Sequence, residues 1–266
     1  ELEGGSVGFT LALPISDFLC KAGSSCRKGS YTGGRSYSMV YDFHTHTFLS
    51  DGSLSPVELA RRAYVQGYKA LAITDHAGVG TLERVIKELR EDCSLASRRW
   101  GIPVIPGVEL THIPPVEISQ IAKRAKDLGA QIVVVHGETI VEPVEEGTNA
   151  AALRSPYVDV LAHPGLIKRE EVELSLQSHI FLELSARRGH SLTNGHIARI
   201  ALALGAPLLL NSDAHEPEDL LTEVLARRIA QGAGLREDQI ETLIEKNPKM
   251  LLERIANPSR KSPGTS

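Results

Sequence analysis

Seven short apolar segments recur along the chain from Met39 onward, and each is bounded by polar residues, glycine or proline. The segments are continuous and partly β-branched, which is typical of strands that are buried on both faces of a sheet. They are MVYDF (39–43), ALAIT (70–74), IPVIPGVEL (102–110), AQIVVVH (130–136), VDVLAH (158–163), IFLELS (180–185) and APLLLNSD (206–213). We therefore predict seven buried strands.

Segments with helical periodicity lie between these strands. The first has Ser55 as a helix cap, Pro56 in the first turn and Gly67 as a stop. Four more predicted helices end at a glycine in the same way, over 81–101, 114–129, 193–205 and 217–232, and residues 236–255 predict one or two closing helices.

Alternating buried strands and helical crossovers predict an α/β fold with a parallel sheet, and seven such units can close into a (β/α)7 barrel. The alternative is an open, doubly wound sheet. That fold usually carries a glycine-rich phosphate loop after an early strand, and the chain has none.

Residues 1–38 differ from the rest of the chain because they are rich in glycine and serine and have no sustained period. Their apolar run, VGFTLALPI, is broken by Pro14, follows acidic residues and is too short to span a bilayer, which argues against a signal peptide or a membrane anchor. We predict a flexible extension or upstream segment over 1–38, one folded domain over 39–256 and a disordered tail over 257–266.

The composition fits one domain with a sizeable core, since 42% of the 266 residues are hydrophobic and 23% are charged. A formal net charge of -4 and scattered basic residues argue against long nucleic acid as a partner. Cys20, Cys26 and Cys93 have neither metal-type nor disulfide-type spacing, so we expect a reducing compartment, by default the cytoplasm. A homo-oligomer is compatible with the sequence, which does not fix the oligomeric state.

Side chains that can bind metal follow six of the seven predicted strands. They are His44, His46 and Asp51 after the first strand, His76 after the second, Glu109 in the third, His136 in the fourth, His163 in the fifth, and Asp213 and His215 at the seventh. The carboxyl ends of barrel strands share one opening, so these nine side chains should converge. Each of these side chains, taken alone, has a structural explanation. Asp51, for example, could cap a turn. Nine imidazoles and carboxylates in one pocket are poorly satisfied without cations, so together they predict a multinuclear metal site.

The motifs HTHTFLSDG, ITDH, GVE, AHPG and SDAH, in this order over residues 40 to about 256, resemble the PHP family, named for polymerase and histidinol phosphatase. The resemblance implies a distorted barrel of seven β/α units that holds two or three divalent ions and hydrolyses phosphoesters. It implies three ligand groups: His44, His46, Glu109 and Asp213 for one ion, Glu109, His136 and His163 for a second, and Asp51, His76 and His215 for a third. Some members have histidine in place of Asp51. Because this chain has a carboxylate there, its third position offers a harder ligand, oxygen in place of nitrogen. Zinc, manganese and iron all accept such mixed nitrogen and oxygen ligands.

Ions in such a site can hold a hydroxide between them and neutralise charge on phosphate oxygens, which suits phosphomonoester hydrolysis. We predict Asp213 and Glu109 as catalytic residues, with Asp213 also a proton acceptor. The sixth strand is followed by Arg187, Arg188 and His190, which we predict to bind the substrate phosphate. The alternative is that one arginine pairs with Glu183 or Glu138 and that the other is solvated.

The remaining histidines are not predicted ligands. His179 precedes the sixth strand, at the opposite end of the barrel, and His196 lies within a helical segment, where a packing or surface role is expected. His112 is close enough to Glu109 along the chain to reach the opening. Glu138 and Thr139 belong to a long polar loop that could form part of the substrate wall.

The leading hypothesis is a metal-dependent phosphomonoesterase for a small phosphorylated substrate, with histidinol phosphate as the family's namesake candidate. The carboxylates of the loop over 136–149 should repel a highly phosphorylated substrate and tolerate an amine. A nucleotide phosphatase or nuclease, a phosphoprotein phosphatase, an amidohydrolase and a metal-stabilised regulatory module remain alternatives.

Overall fold

The computed structural model describes residues 40–257. The predicted extension over 1–38 and nearly all of the predicted tail over 257–266 lie outside the described residues. The strands are β1 Tyr41–Asp42, β2 Ala70–Ile73, β3 His76–Ala77, β4 Val104–Leu110, β5 Ile132–His136, β6 Val160–Ala162, β7 Phe181–Ser185 and β8 Leu208–Asn211.

All strand pairs are parallel, and neighbours follow the order β1-β2-β4-β5-β6-β7-β8. Strand β3 follows β2 after a two-residue break and also pairs with β4, with His76 opposite Glu109. With β2 and β3 counted as one interrupted strand, the sheet has the seven strands that the sequence predicts. The Asp213 amide donates to the His44 carbonyl at 2.9 Å and the His46 amide to the Ala214 carbonyl at 2.8 Å, so the sheet closes into a barrel. The predicted α/β barrel is confirmed.

Nine α-helices accompany the strands within residues 40–257. They are α1 Pro56–Gln66, α2 Leu82–Trp100, α3 Ile118–Leu128, α4 Thr148–Arg154, α5 Arg169–Ser178, α6 Asn194–Leu204, α7 Glu223–Gly232, α8 Glu237–Glu241 and α9 Asn247–Ala256. A π-helical turn, Thr242–Lys246, joins α8 to α9. Helices α4 and α5 complete the crossovers between β5, β6 and β7, and neither is among the helices that the sequence pattern predicts.

A left-handed glycine caps four of the five helices for which the sequence predicts a glycine stop. Gly67, Gly101, Gly129 and Gly205 all adopt the left-handed conformation directly after their helices. The fifth helix, α7, also ends at the predicted residue, Gly232, but Gly232 does not adopt the left-handed conformation, which is found instead at Gly234, with φ of 91°. The start of the same helix also differs: α7 begins after Thr222, whose hydroxyl accepts a hydrogen bond from the Leu225 amide.

Strand alternation divides the core into two layers. On β5, Ile132 and Val134 belong to the cluster inside the barrel, whereas Val133 and Val135 pack in the outer cluster with the helices. Helix α9 closes the amino-terminal end of the barrel, where the Asn247 amide group donates to the Leu208 carbonyl at 2.7 Å. None of the helices between residues 40 and 257 is long and apolar enough to cross a membrane.

The same alternation directs the polar residues at the other end of the strands. On β4, Ile105 packs inside the barrel and Glu109 follows four positions later, on the same face. On β5, His136 follows inward-facing Val134 by two positions, and on β7, Glu183 follows inward-facing Phe181 by two. The carboxyl-terminal opening of the barrel is therefore lined by the ligand-type side chains.

Candidate metal centre

All nine predicted ligands lie in one connected cluster at the carboxyl ends of the strands, with Glu109 at its centre. The Glu109 side chain is fully buried. Its Oε2 lies 2.7 Å from His76 Nδ1, 3.3 Å from His44 Nε2 and 3.6 Å from His46 Nε2, and its Oε1 lies 3.5 Å from His163 Nε2. One carboxylate thus reaches imidazoles from both sides of the barrel opening.

Asp213 lies beside Glu109 and faces two sets of histidines. Its Oδ1 is 3.3 Å from His46 Nε2, and its Oδ2 is 3.7 Å from His163 Nε2 and 3.8 Å from His190 Nε2. Asp213 and His163 both have positive φ, 54° and 27°, which is uncommon for residues other than glycine. Such conformations cost about 1–3 kcal/mol and persist where the surrounding structure holds them, typically at functional sites.

A second set of ligand atoms lies nearer to the solvent. Asp51 Oδ1 is 3.1 Å from His215 Nε2 and 3.6 Å from His76 Nε2, and ligand atoms of these three residues and His46 all lie within 4.8 Å of one another. The Asp51 side chain is 54% exposed, so this position is at the rim of the opening.

A third set surrounds His136 and includes residues that the sequence did not assign to metal. His136, His163 and His190 have ligand atoms within 4.8 Å of one another, and all three side chains are buried. Glu142, in the loop after β5, has Oε2 at 3.1 Å from His136 Nε2 and Oε1 at 3.4 Å from His190 Nε2. His190, predicted as a phosphate contact, thus lies among the candidate ligands.

Two carboxylates that the sequence did not assign hold the site in place. Glu183 Oε2 lies 2.8 Å from His44 Nδ1 and accepts a hydrogen bond from the Asn211 amide group, also at 2.8 Å. Asp75 accepts hydrogen bonds from the amide and hydroxyl of Thr47, both at 2.7 Å, and from the Ser50 hydroxyl at 2.6 Å. It therefore fixes the loop between His46 and Asp51.

Opposite charges dominate the electrostatics of the cluster. Burial alone would lower the pKa of His44, but Glu183, Glu109 and Asp213 outweigh it and raise that pKa well above its usual value. Burial would raise the pKa of Glu109, but positive charge on His44, His76 and His136 holds it well below its usual range. Burial lowers the pKa of His46 to about 3. The carboxylates therefore need positive charge beside them, either as protons on imidazoles or as cations.

The donor set fits divalent cations. Within residues 40–257, buried ligand-type atoms that lack a hydrogen-bond partner are concentrated in this cluster: His44 Nε2, both ring nitrogens of His46, both carboxylate oxygens of Glu109, His136 Nδ1, His163 Nδ1 and His215 Nε2. Leaving such atoms buried without a partner is costly, and coordination would satisfy those that face the cluster, such as His44 Nε2, His46 Nε2 and the Glu109 oxygens. Imidazole nitrogen with carboxylate oxygen is a ligand set that zinc, iron and manganese accept.

The two predicted phosphate-binding arginines differ in position. Arg187 is 33% exposed, donates from Nη1 to the Asp213 carbonyl at 3.2 Å and has Nε 3.9 Å from Asp213 Oδ2. Arg188 is exposed and forms no ion pair within the described part of the chain. The partners considered for the arginines are engaged elsewhere, since Glu183 contacts His44 and Glu138 accepts hydrogen bonds from the Gly147 and Asn149 amides.

The other histidines lie outside the cluster of ligand atoms. His179 caps α5 at the opposite end of the barrel, and His196 Nε2 donates to the Ile167 carbonyl at 2.8 Å. His112 is exposed, with its ring centroid 5.6 Å from that of His136. Thr139 contacts His190 Nδ1 at 2.8 Å, so it belongs to the buried wall of the site.

Comparison with known proteins identifies relatives over most of the chain. The family model described as "PHP domain" matches residues 42–235. The chain is 50% identical over 218 residues to an uncharacterized protein of Methanocaldococcus jannaschii, covering 82% of this chain and 100% of that protein. It is 28% identical over 220 residues to a probable phosphatase of Thermoanaerobacter sp. (strain X514), covering 76% of this chain and 89% of that protein. It is also 28% identical over 174 residues to a 5'-3' exoribonuclease of Escherichia coli (strain K12), covering 64% of this chain and 50% of that protein.

Proposed function

The chain belongs to the PHP domain family, and from this premise we propose that it is a metal-dependent phosphoesterase that hydrolyses the phosphomonoester of a small molecule. The observation that carries the proposal is the convergence of nine ligand-type side chains around the buried carboxylate of Glu109. Two or three zinc, manganese or iron ions would satisfy this cluster.

The proposed ligand groups are those that the family resemblance implies. His44, His46, Glu109 and Asp213 would hold one ion, Glu109, His136 and His163 a second, and Asp51, His76 and His215 a third. Divalent ions in such a site lower the pKa of water and neutralise charge on phosphate oxygens.

Asp213 is the proposed proton acceptor. Burial would raise the pKa of Asp213, but the charge on His44 and the hydrogen bond with His46 outweigh it and hold the pKa below the usual range, so the carboxylate is ionised at neutral pH. Its two oxygens face different histidines, Oδ1 toward His46 and Oδ2 toward His163. In this position it can orient a water molecule and take its proton.

Arg187 and the loop after β5 are the proposed substrate contacts. The Arg187 guanidinium lies beside Asp213 and is partly exposed, so it can turn to a phosphate oxygen at the opening. Glu142 brings negative charge to the same side of the opening, at a side-chain exposure of 40%. An acidic wall suits a substrate that carries an amine beside its phosphate, which supports histidinol phosphate as a candidate.

The second candidate function is cleavage of a nucleic acid end. The relative named as a 5'-3' exoribonuclease supports it, and the same ions would act on a phosphodiester. The net charge of -4 and the acidic loop argue against a long polyanion, because nucleic-acid binding depends on phosphate neutralisation by basic residues.

The experiment is metal removal followed by add-back of zinc, manganese or iron, with phosphate release measured from p-nitrophenyl phosphate, histidinol phosphate and nucleoside monophosphates. Shortening of a 5'-phosphorylated RNA oligonucleotide and release of mononucleotides from it are measured in parallel. We expect release only after add-back, with one small phosphomonoester preferred. RNA degradation without small-molecule turnover would favour the second candidate. Full metal loading without action on any phosphoester would contradict both.

A further inference from the structure

His190 is held in the metal centre more firmly than a substrate contact needs to be. It lies in the short 3-10 turn His190–Thr193 after β7, and only 4% of its surface is exposed. Its ring stacks on that of His163, with centroids 4.0 Å apart and planes inclined by 16°. A residue that meets the substrate from the opening would be expected to be more exposed, as Arg187 is at 33%.

The two ring nitrogens of His190 have different surroundings. Nδ1 lies 2.8 Å from the hydroxyl of Thr139, which is itself buried. Nε2 faces the cluster, 3.4 Å from Glu142 Oε1 and 3.8 Å from Asp213 Oδ2. When Nδ1 carries the proton and donates to the hydroxyl, Nε2 keeps its lone pair for a cation. Metal-binding histidines usually have their second nitrogen fixed in this manner.

We propose that His190 is a tenth metal ligand, which joins His136 and His163 to form a three-histidine position next to Glu109. The ligand atoms of the three imidazoles already lie within 4.8 Å of one another. The inference rests on the metal centre of the proposed function but not on its substrate. It reassigns His190 from the phosphate to the metal.

A three-histidine position has consequences for metal choice and retention. Three nitrogens favour zinc or iron over manganese, whereas the position at Asp51 combines a carboxylate with imidazoles. The three histidines are buried, whereas Asp51 is half-exposed. The ion at the three-histidine position should therefore leave last when metal is withdrawn.

The test is a chelator titration of the zinc-loaded full chain, with residual zinc per chain measured at each step. We expect His190→Asn to lose the last ion at a chelator concentration at least about tenfold lower than the unmodified chain does. His112→Asn is the matched control, because His112 is exposed and its ring is near His136. Asparagine tolerates the φ of 51° at position 112, so the control should fold and retain zinc like the unmodified chain.

A second variant separates a ligand from a residue that merely supports the fold. Thr139→Val keeps the imidazole and removes the hydroxyl from Nδ1, and it should weaken retention of the last ion by about tenfold. In the cobalt-loaded protein, His190→Asn should shift the visible absorption bands and His112→Asn should not. The inference would be overturned if His190→Asn retained zinc normally, left the cobalt spectrum unshifted and raised the KM for p-nitrophenyl phosphate. His190 would then be a substrate contact.

The outcome is distinguishable from failure of the proposed function. A protein that binds zinc through His190 but releases no phosphate from any ester would contradict the phosphoesterase and leave the ligand assignment standing. Turnover of a phosphoester, together with unchanged zinc retention in His190→Asn, would support the phosphoesterase and contradict the assignment of His190 as a metal ligand.

Discussion

At the residue scale, three imidazoles of the metal centre, those of His44, His76 and His190, have a second contact that fixes the orientation of the ring. His44 Nδ1 lies 2.8 Å from Glu183, His76 Nδ1 lies 2.7 Å from Thr111 and His190 Nδ1 lies 2.8 Å from Thr139. A metal-binding imidazole needs one nitrogen without a proton, and a partner on the other nitrogen fixes the tautomer and the ring plane. The protein itself therefore fixes the ring orientation of these three imidazoles.

Glu183→Gln tests this orientation. The amide keeps the size of the side chain but removes the charge beside His44 Nδ1, so we expect zinc affinity to fall about 10- to 100-fold in a chelator competition. Glu173→Gln is the control, since Glu173 forms an exposed i,i+4 pair with Arg169 on α5 and should not affect zinc. Equal zinc affinity in the two variants would show that Glu183 has no orienting role.

The paired arginines give a second prediction at this scale. Arg187→Ala should raise the KM for a phosphomonoester about 10- to 100-fold, because a charge-assisted hydrogen bond contributes about 1.5–3 kcal/mol. Arg188→Ala should change KM little, because Arg188 is exposed and Arg187 is the arginine beside Asp213. Both variants are measured at saturating metal. A larger effect at Arg188 would contradict the placement of the phosphate.

The nine predicted ligands could be located from the sequence because each follows a recognisable apolar strand. Glu183 was harder to assign, since a carboxylate within the apolar run IFLELS signals a buried charge but does not name its partner. Glu142 could not be located, because its position depends on the course of a loop over Glu138 and Gly147.

At the element scale, the loops after β5 and β6 approach each other so closely that glycine is required. A Cβ at Gly165 would lie 1.9 Å from the Glu138 carbonyl oxygen, and the φ of Gly165 is 62°. The Asn149 amide group donates to the Pro164 carbonyl at 2.9 Å and holds the two loops together. This contact positions His163, two residues before Gly165.

Gly165→Ala should lower the free energy of unfolding by about 2 to 4 kcal/mol, from the left-handed backbone and the steric overlap together. Gly205→Ala provides a matched control, because Gly205 has φ of 76° but open space around its Cβ position. It should cost only about 1 kcal/mol. Urea denaturation of the metal-free proteins measures both, and equal losses would show that the loop contact carries no strain.

Helices that end at glycine were predictable from the sequence, and helices that end otherwise were not. Helix α4 ends before Ser155, which has an extended backbone conformation, and α5 ends before His179, which has a φ of 57°. Neither residue is a recognisable stop. The misplaced start of α7 has a similar cause, because Pro217 begins a separate turn, Pro217–Asp219, before the cap at Thr222.

At the scale of the whole molecule, the metal centre lies on the seam where the barrel closes. Strand β1 has two residues, and the seam continues through His44, His46, Asp213 and Ala214. Strand and helix alternation was sufficient to predict the barrel. It could not predict the seam, because the closing hydrogen bonds lie beyond the strand ends and depend on the positive φ of Asp213.

The most direct test of the account is elemental analysis of the reconstituted full chain, with phosphate release measured on the same sample. We expect two or three divalent ions per chain, and phosphate release that appears as the ions are restored. Fewer than one ion per chain after reconstitution would contradict the metal centre on which every other conclusion rests.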